Sequence, residues 1–288
     1  HRCVVLARYP QGCRELAVTP GVEVRKENIF DPDALKSHFE GADAVINMVG
    51  ILNESGRNGK GFNRVHVELV ETAISACVAS GVKRFVQISA LNAGKWASHY
   101  LASKGRAEDL LRAADGLDVT IVQPSVIFGD GDAFFNRFAS LLKVAPVLPL
   151  ACPESKLQPV WVGDVVAATV RILEDPETIG KTLVMVGPEA YSLRELVGYT
   201  ATALGIRRKI IGLPHGLSRL QGFLMDFVPG KPFSSDNFRS LQIDNISKNN
   251  SLWELGIHPR SLKSIVPGYL LGSAHQQRLD EYRKRVGR

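Results

Sequence analysis

The chain has 288 residues, of which 45% are hydrophobic and 22% charged, and its formal net charge at pH 7 is +6. This composition is typical of a folded globular protein and excludes a disordered, collagen-like or coiled-coil chain. Aromatic residues make up only 7% and do not interleave with a basic face, so we expect no nucleic-acid partner. No stretch of eighteen uncharged apolar residues occurs, and no transmembrane segment is therefore predicted.

The four cysteines form no CxxC pair and have no histidine at ligand spacing, which predicts a reduced, intracellular protein with no metal site. The last eleven residues, 278–288, hold five cations and two anions. This basic tail is interpreted as a solvated terminal helix, with an acidic partner or lipid headgroups as the alternative contact.

Short β-branched apolar runs alternate with helical patterns in the first two thirds of the chain. Strands are predicted at residues 3–7, 22–26, 43–48, 84–89 and 119–124. Helices are predicted between them at residues 31–41, 62–81 and 98–114, with His66 on the polar side of the second, solvated or hydrogen-bonded. Repeated strand–helix–strand units predict an α/β fold with a doubly wound, Rossmann-type parallel sheet.

The pattern changes after residue 128. Helices are predicted at residues 132–143, 162–175, 191–205 and 217–228, and a further buried strand at 181–187. The prolines of segment 144–153 argue against regular structure there. Phe223 and Met225 lie at core spacing in the helix at 217–228, which we expect to be a packed lid, with a pocket wall or a membrane-surface face as alternatives.

These patterns predict two regions. Residues 1–128 form a nucleotide-binding domain to which residues 160–187 return, and residues 129–288 form a smaller, mainly helical substrate or partner region. A dinucleotide-binding sheet begins with a strand, a glycine-rich turn and a helix, yet no GxGxxG or GxxGxxG motif follows any predicted strand. We therefore expect roughly thirty further residues, the length of a first βα unit, before His1.

Tyr100 and Lys104 form a YxxxK motif on the helix that follows strand 84–89. Residues four apart share one face of a helix. A nearby ammonium favours the phenolate, so we expect the pKa of Tyr100 to be lowered and its hydroxyl to exchange a proton with a substrate hydroxyl or carbonyl. The same lysine is able to hydrogen-bond a ribose.

With this motif the chain resembles the extended and atypical branches of the short-chain dehydrogenase/reductase superfamily. The matching segments are VLAR, FDPDAL, NMVG, RFVQISA, YLASK, QPSVIFG and PVWVGDVV. The segments INMVGIL and QPVWVGDV most resemble the group that contains the NAD(P)H-binding accessory subunit of respiratory complex I and its bacterial relatives.

The resemblance implies NADP(H) as the preferred cofactor and NAD(H) as an alternative. Arg8 ends a strand where an acid would accept the ribose hydroxyls of NAD, and a guanidinium suits a 2′-phosphate. A solvated strand-end arginine is the other interpretation. The other cofactor positions implied are Phe30 and Asp31 at the adenine, Asn47, Met48, Val49 and Gly50 at the adenosine ribose, Lys104 at a ribose, and Pro124 and Val126 beside the nicotinamide.

The catalytic residues implied are Tyr100, Lys104 and Ser89. Ser89 would polarise a substrate carbonyl or, alternatively, its hydroxyl closes the end of the strand, in which case Asn92 is a substitute. The function predicted is an NADP(H)-binding oxidoreductase for a carbonyl, hydroxyl or quinone-type substrate, with a link to ubiquinone metabolism in some relatives.

The alternative function is a non-catalytic accessory or assembly subunit of a respiratory, complex I-like membrane complex, which keeps its nucleotide as a folding staple. The location expected is cytoplasmic, peripheral on the cytoplasmic face of the inner membrane, or the mitochondrial matrix in a eukaryote.

Overall fold

The computed structural model describes residues 1–270, apart from the side chains of residues 11 and 13–15. The strands assigned in this part of the chain are β1 (Cys3–Ala7), β2 (Val22–Lys26), β3 (Ala44–Asn47), β4 (Arg84–Ile88), β5 (Asp118–Pro124), β6 (Ile127–Phe128), β7 (Val147–Leu150), β8 (Lys156–Leu157), β9 (Val160–Trp161), β10 (Thr182–Met185), β11 (Tyr191–Ser192) and β12 (Lys209–Gly212).

The α-helices assigned are α1 (Arg14–Ala17), α2 (Pro32–Phe39), α3 (Lys60–Phe62), α4 (Leu69–Ser80), α5 (His99–Arg112), α6 (Ala133–Val144), α7 (Val162–Glu174), α8 (Leu193–Ala203), α9 (His215–Met225), α10 (Ser235–Ser240) and α11 (Ser251–Glu254). Short 3-10 turns cover Pro10–Cys13 and Pro176–Thr178, and a π-helical turn covers Asn63–Glu68. The basic tail lies outside the described residues.

A parallel sheet in the order β10-β5-β4-β3 forms the centre of the fold. The central strands are buried on both faces, as Phe85, Val86 and Val122 show with no exposed surface. Such continuous burial is typical of parallel strands covered by helices. The predicted α/β fold with a parallel sheet is therefore confirmed, and β10 lies beside β5 in it.

Strands β1 and β2 form a separate two-stranded parallel sheet. Leu6 of β1 packs against the same apolar cluster as Val45 of β3, so the two sheets border one core. Within the described residues β1 is not hydrogen-bonded to β3. The expected βα unit upstream of His1 stays a prediction.

The predicted helix at 62–81 is interrupted near its start. The π-helical turn over Asn63–Glu68 separates α3 from α4, and Gly81 ends α4 in the left-handed conformation at φ 77°. A π turn inserts an extra residue and changes which side chains face inward. His66 is consequently 2% exposed rather than on a polar face, so the predicted solvated position is wrong and the hydrogen-bonded one is found.

The proline-rich segment after α6 is regular, contrary to expectation. β7 pairs in parallel with β12, and Pro149 stands opposite Ile211. Proline is tolerated because a strand of a two-stranded sheet has a free edge that requires no donor. Helices α6 and α8 cover these strands around a second core that includes Phe135 and Leu196. No helix within residues 1–270 is long and apolar enough to cross a membrane.

Candidate functional site

The helix that carries Tyr100 and Lys104 has a doubly anchored start. The Ser98 hydroxyl accepts a hydrogen bond of 3.2 Å from the amide of Leu101 and caps α5. Asp236, from α10, accepts hydrogen bonds from the amides of His99 at 2.8 Å and Tyr100 at 3.1 Å. These three acceptors satisfy donors that a helix start leaves unpaired, so the first turn of α5 is fixed in place.

Lys104 projects from α5 toward the end of β4 and the loop after β3. Its side chain is buried, and its ammonium donates to the carbonyl of Ile88 at 3.2 Å. A Cβ placed on Gly50 would lie 3.3 Å from Lys104 Nζ, so the backbone of Gly50 approaches the ammonium because it carries no side chain. Burial lowers the pKa of Lys104 to about 8, while the charge of Glu108 raises it. Two of its three protons have no described acceptor.

The ring of Tyr100 lies in an aromatic corner beside the same loop. Its centroid is 6.1 Å from that of Phe62 and 5.6 Å from that of His66, both edge-to-face. Burial raises the pKa of Tyr100 to about 12. The expected lowering by Lys104 is therefore wrong, because desolvation of the phenolate dominates. No residue in the described part of the chain hydrogen-bonds the phenol hydroxyl.

His66 is the site residue that the sequence did not reveal. The amide of Ile51 donates to its Nε2 at 3.1 Å, so Nδ1 carries the proton and donates to the hydroxyl of Ser103 at 2.8 Å. That hydroxyl in turn donates to the carbonyl of Tyr100 at 2.8 Å. Burial, together with the charge of Lys104, lowers the pKa of His66 to about 3, which keeps the ring neutral.

Ser89 and the carboxylate of Glu108 form a network under α5. The Ser89 hydroxyl donates to Glu108, which also accepts from Gln123 at 2.8 Å and from Arg112 at 2.7 Å. Since the hydroxyl is engaged there, this placement favours the interpretation in which Ser89 closes the strand end. Its role as a carbonyl donor stays a prediction.

The substitute candidate Asn92 is also engaged. Its amide donates to the carbonyl of Asp244 at 3.1 Å, and its side-chain oxygen accepts from Lys95 at 2.7 Å. Its backbone adopts φ 70°, a left-handed conformation that asparagine tolerates better than most residues. These contacts favour a turn-forming role for Asn92.

The loop after β3 is shaped by Asn47. Its buried side chain donates to Gln87 at 2.9 Å and accepts from the amide of Val49 at 3.1 Å. Val49 packs on the core, whereas Met48 is 70% exposed. The predicted segment 47–50 therefore forms a tight turn that leads to Gly50 and presents Met48 at the surface.

The residues predicted at the adenine end follow β2. The carboxylate of Asp31 caps α2 by accepting from the amides of Asp33 at 3.1 Å and Ala34 at 3.3 Å. The guanidinium of Arg64 lies 4.9 Å from the ring centre of Phe30. The carboxylate of Asp31 is thus engaged by the start of α2, and the ring of Phe30 contacts the guanidinium of Arg64.

Arg8, Pro124 and Val126 also stand at the carboxyl ends of parallel strands. Arg8 follows β1, is exposed and has no ion-pair partner among the side chains that the structure describes. Pro124 ends β5 and accepts at its carbonyl from Leu91 at 2.8 Å, and Val126 accepts from Val160 at 3.0 Å. Ligands of open α/β sheets bind beyond this edge.

The residues at this edge fit a nicotinamide dinucleotide. Lys104 has unused donors beside Gly50, where a Cβ would crowd the ammonium, and Arg8 presents a free guanidinium. Such groups suit ribose hydroxyls and phosphate. In the described part of the chain no group of three or more His, Cys, Asp or Glu side chains is arranged to hold a metal ion.

Comparison with known proteins agrees with this geometry. Residues 1–135 match the NAD(P)H-binding family. The chain is 31% identical over 246 residues to the mitochondrial NADH dehydrogenase (ubiquinone) 1 alpha subcomplex subunit 9 of Mus musculus, covering 82% of this chain and 63% of the relative. It is 32% identical over 206 residues to a ceramide reductase of Caulobacter vibrioides, covering 71% of this chain and 64% of the relative.

The chain thus spans somewhat less than two thirds of the length of these curated relatives. An NADPH-dependent quinone oxidoreductase from Escherichia coli, solved with NADPH, has the same fold at a TM-score of 0.70 and 18% identity, covering 93% of this chain and 90% of that one. Residues 1–135 are therefore an NAD(P)H-binding domain with a Rossmann-type fold, and the chain is similar to subunits of mitochondrial NADH dehydrogenase (ubiquinone) and to a ceramide reductase.

Proposed function

We propose that this protein is an NADP(H)-dependent oxidoreductase that reduces a carbonyl or quinone-type substrate, or oxidises the corresponding hydroxyl. One observation carries the proposal: a single helix at the carboxyl edge of the sheet holds both Tyr100 and Lys104. The hydroxyl of Tyr100 has no hydrogen-bond partner in the described part of the chain, and the ammonium of Lys104 lies beside Gly50. Tyr100 is the proton donor or acceptor, and Lys104 holds a ribose and supplies positive charge.

Tyr100 holds its proton at neutral pH, since burial raises its pKa to about 12. It is therefore in the form that donates to a carbonyl oxygen, as a reduction requires. The bound nucleotide supplies the hydride that reduces a carbonyl carbon. Tyr100 gives its proton to the carbonyl oxygen, and the charge of Lys104 stabilises the phenolate that remains. Similarity to a ceramide reductase supports a reduction.

The neutral His66 has a positioning part in this proposal. It joins the amide of Ile51 to the hydroxyl of Ser103, which is bonded to the carbonyl of Tyr100. The loop after β3 and the first turn of α5 are thereby held at a fixed separation. Because the ring stays neutral, it adds no second positive charge beside Lys104.

The preference for NADP(H) rests on Arg8. Its guanidinium is exposed at the end of β1, with no carboxylate paired to it in the described residues. A free guanidinium at this position supports recognition of a 2′-phosphate by two parallel hydrogen bonds. NAD(H) is the alternative cofactor.

A second function, a non-catalytic accessory subunit of a respiratory membrane complex, is favoured by two observations. The homologue from Mus musculus is a subunit of the mitochondrial NADH dehydrogenase (ubiquinone), and the hydroxyl of Ser89 is engaged by Glu108. In this case the nucleotide stabilises the fold, by a few kcal/mol at saturating concentration. The location would be peripheral, at the mitochondrial matrix or cytoplasmic side of the membrane.

Turnover of NADPH with a panel of ketones and quinones separates the two functions. We expect wild type and the control Tyr199→Phe, a substitution in α8 away from the sheet edge, to oxidise NADPH, and Tyr100→Phe to lose that activity while keeping its NADPH affinity. Equal turnover by all three proteins would contradict the catalytic role of Tyr100. No turnover by any of them, with a large NADPH-induced rise in melting temperature, would support the accessory subunit.

A further inference from the structure

Helix α9 presents its apolar side chains outward. Leu217, Leu220, Phe223 and Leu224 are each between 45% and 57% exposed. The side facing the protein holds small residues instead: Ser218 is buried, and Gly222 packs against the backbone of Ser234, where a Cβ would meet its carbonyl oxygen at 3.2 Å. The prediction of a core position is therefore wrong for Phe223, because close approach of the backbone takes the place of side-chain burial, whereas Met225 is partly buried.

The exposed apolar surface continues past the end of the helix. Phe227 is 66% exposed and lies edge-to-face with Phe223, at 5.5 Å between ring centres, and Val228 follows it. We refer to this surface as the α9 apolar face, which consists of Leu217, Leu220, Phe223, Leu224, Phe227 and Val228. A contiguous apolar surface of this kind on a folded protein marks an interaction site.

The segment of the chain that contains the α9 apolar face is positively charged. Residues 205–231 hold five cations and one carboxylate, which gives a net charge of +4 (5 − 1). The carboxylate, Asp226, is buried and paired with Arg57 at 3.4 Å. The guanidinium of Arg57 lies 4.9 Å from the ring centre of Phe223 and 5.1 Å from that of Phe227, so a cation borders the apolar rings directly.

Further cations lie beyond Arg57. Arg57 and Arg239 line one small cavity, in which Glu54, Asp226 and Asp236 balance the charge. Arg239 also borders a wide concavity of about 950 Å³, whose lining is net positive because Lys60, Arg64 and Arg106 outnumber the single carboxylate of Glu68. No carboxylate among the described residues forms an ion pair with any of the four cations of this concavity, Lys60, Arg64, Arg106 and Arg239. An anionic partner is therefore electrostatically favoured, and a second copy of this cationic surface is not.

We propose that the α9 apolar face docks on an anionic lipid bilayer. A bilayer surface offers acyl chains to the leucine and phenylalanine side chains and phosphates to the surrounding cations, and a single helix lying in the interface contacts both. Arg219, between Leu217 and Leu220 in the sequence and exposed, would contact the headgroups. This inference is independent of the proposed oxidoreductase function and needs no bound nucleotide.

Sedimentation with vesicles tests the proposal. The full chain is mixed with vesicles of phosphatidylcholine alone or of phosphatidylcholine with phosphatidylglycerol. We expect wild type to bind the anionic vesicles and added salt to weaken that binding. In the double variant Phe223→Ser/Phe227→Ser, each phenyl ring removed should weaken binding about tenfold. Val78→Ser/Trp253→Ser, which removes exposed apolar side chains elsewhere, is expected to bind like wild type.

Two further measurements complete the test. Leu224→Trp leaves the helix face apolar, and the fluorescence emission of the introduced tryptophan should shift to the blue when anionic vesicles are added. Arg219→Gln should weaken binding to the anionic vesicles and leave binding to phosphatidylcholine vesicles unchanged. Equal binding by wild type and Phe223→Ser/Phe227→Ser would overturn the proposal, as would a lack of binding by wild type. A dimer that this double substitution dissociates would also overturn it, in favour of a second copy. Melting temperatures with and without NADPH report folding and nucleotide binding separately.

Discussion

The carboxylate of Asp236 accepts a hydrogen bond of 3.1 Å from the backbone amide of Tyr100. These residues are 136 positions apart in the chain, and Asp236 is buried. A second bond from the same helical region joins the hydroxyl of Ser240 to that of Ser98 at 2.8 Å. Segment 236–240 therefore helps to fix the first turn of the tyrosine helix, together with the Ser98 cap.

Replacing Asp236 with alanine should destabilise the protein. Two helix-start amides would lose a buried, charged acceptor, which is expected to cost about 2 kcal/mol of unfolding free energy. Asp236→Asn keeps one acceptor oxygen and should cost about half as much. Urea unfolding measures both. Asp109→Ala, which removes an exposed carboxylate from the same helix, is the control and should change stability by less than about 0.5 kcal/mol.

If Asp236→Ala lowered the unfolding free energy no more than Asp109→Ala does, water would be shown to replace the carboxylate of Asp236 at no cost. NADPH affinity of Asp236→Ala, measured in the same samples, reports whether the displacement of the first turn extends to Lys104.

Local patterns predicted most of the central fold and the YxxxK helix. β-branched runs predicted β1 to β5, since strands buried on both faces must be apolar throughout. The contact of Asp236 with Tyr100 depends on how distant segments meet, and no local pattern encodes that. His66 was misplaced because the π turn changes the helical phase. The orientation of α9 was misjudged because spacing identifies an apolar face without saying what covers it.

Close packing between α5 and the loop before it leads to a second prediction. A Cβ on Gly105 would lie 2.2 Å from the Cα of Gly94 and 2.4 Å from its nitrogen. Backbone atoms have little freedom to move, so Gly105→Ala should destabilise the protein by about 3 kcal/mol. Gly198, in α8, has no atom within 4 Å of its Cβ position. Gly198→Ala is the matched control and should stabilise by about 0.5 kcal/mol through helix propensity.

Thermal and urea unfolding of the two alanine variants check this prediction. If both substitutions changed stability by the same amount in the same direction, the close approach of the two backbones at Gly94 and Gly105 would be contradicted.

Stability should depend on pH through His66. Its pKa in the folded protein is about 3, against 6.5 in an unfolded chain, so between these values the unfolded chain binds a proton that the folded protein does not. Unfolding free energy should therefore fall as the pH falls from 6.5 toward 3, by at most about 1.4 kcal/mol per pH unit from this group.

His66→Gln keeps an acceptor for the amide of Ile51 but does not titrate. The difference in unfolding free energy between wild type and His66→Gln should change over this pH range and be constant above it. A difference that stays constant throughout would contradict a buried, neutral His66.

The cofactor preference leads to a prediction about Arg8. If its guanidinium binds a 2′-phosphate, Arg8→Ala should raise the Kd for NADPH about tenfold and leave that for NADH nearly unchanged, because NADH lacks the phosphate. Fluorescence titration of both nucleotides measures the two constants. Arg2→Ala is the control, since Arg2 precedes β1 at the opposite end and faces Glu23 at 3.6 Å. If Arg8→Ala weakened the binding of NADPH and NADH equally, Arg8 would contact a group that both nucleotides share. If the affinity for both were unchanged, Arg8 would be a solvated strand-end arginine.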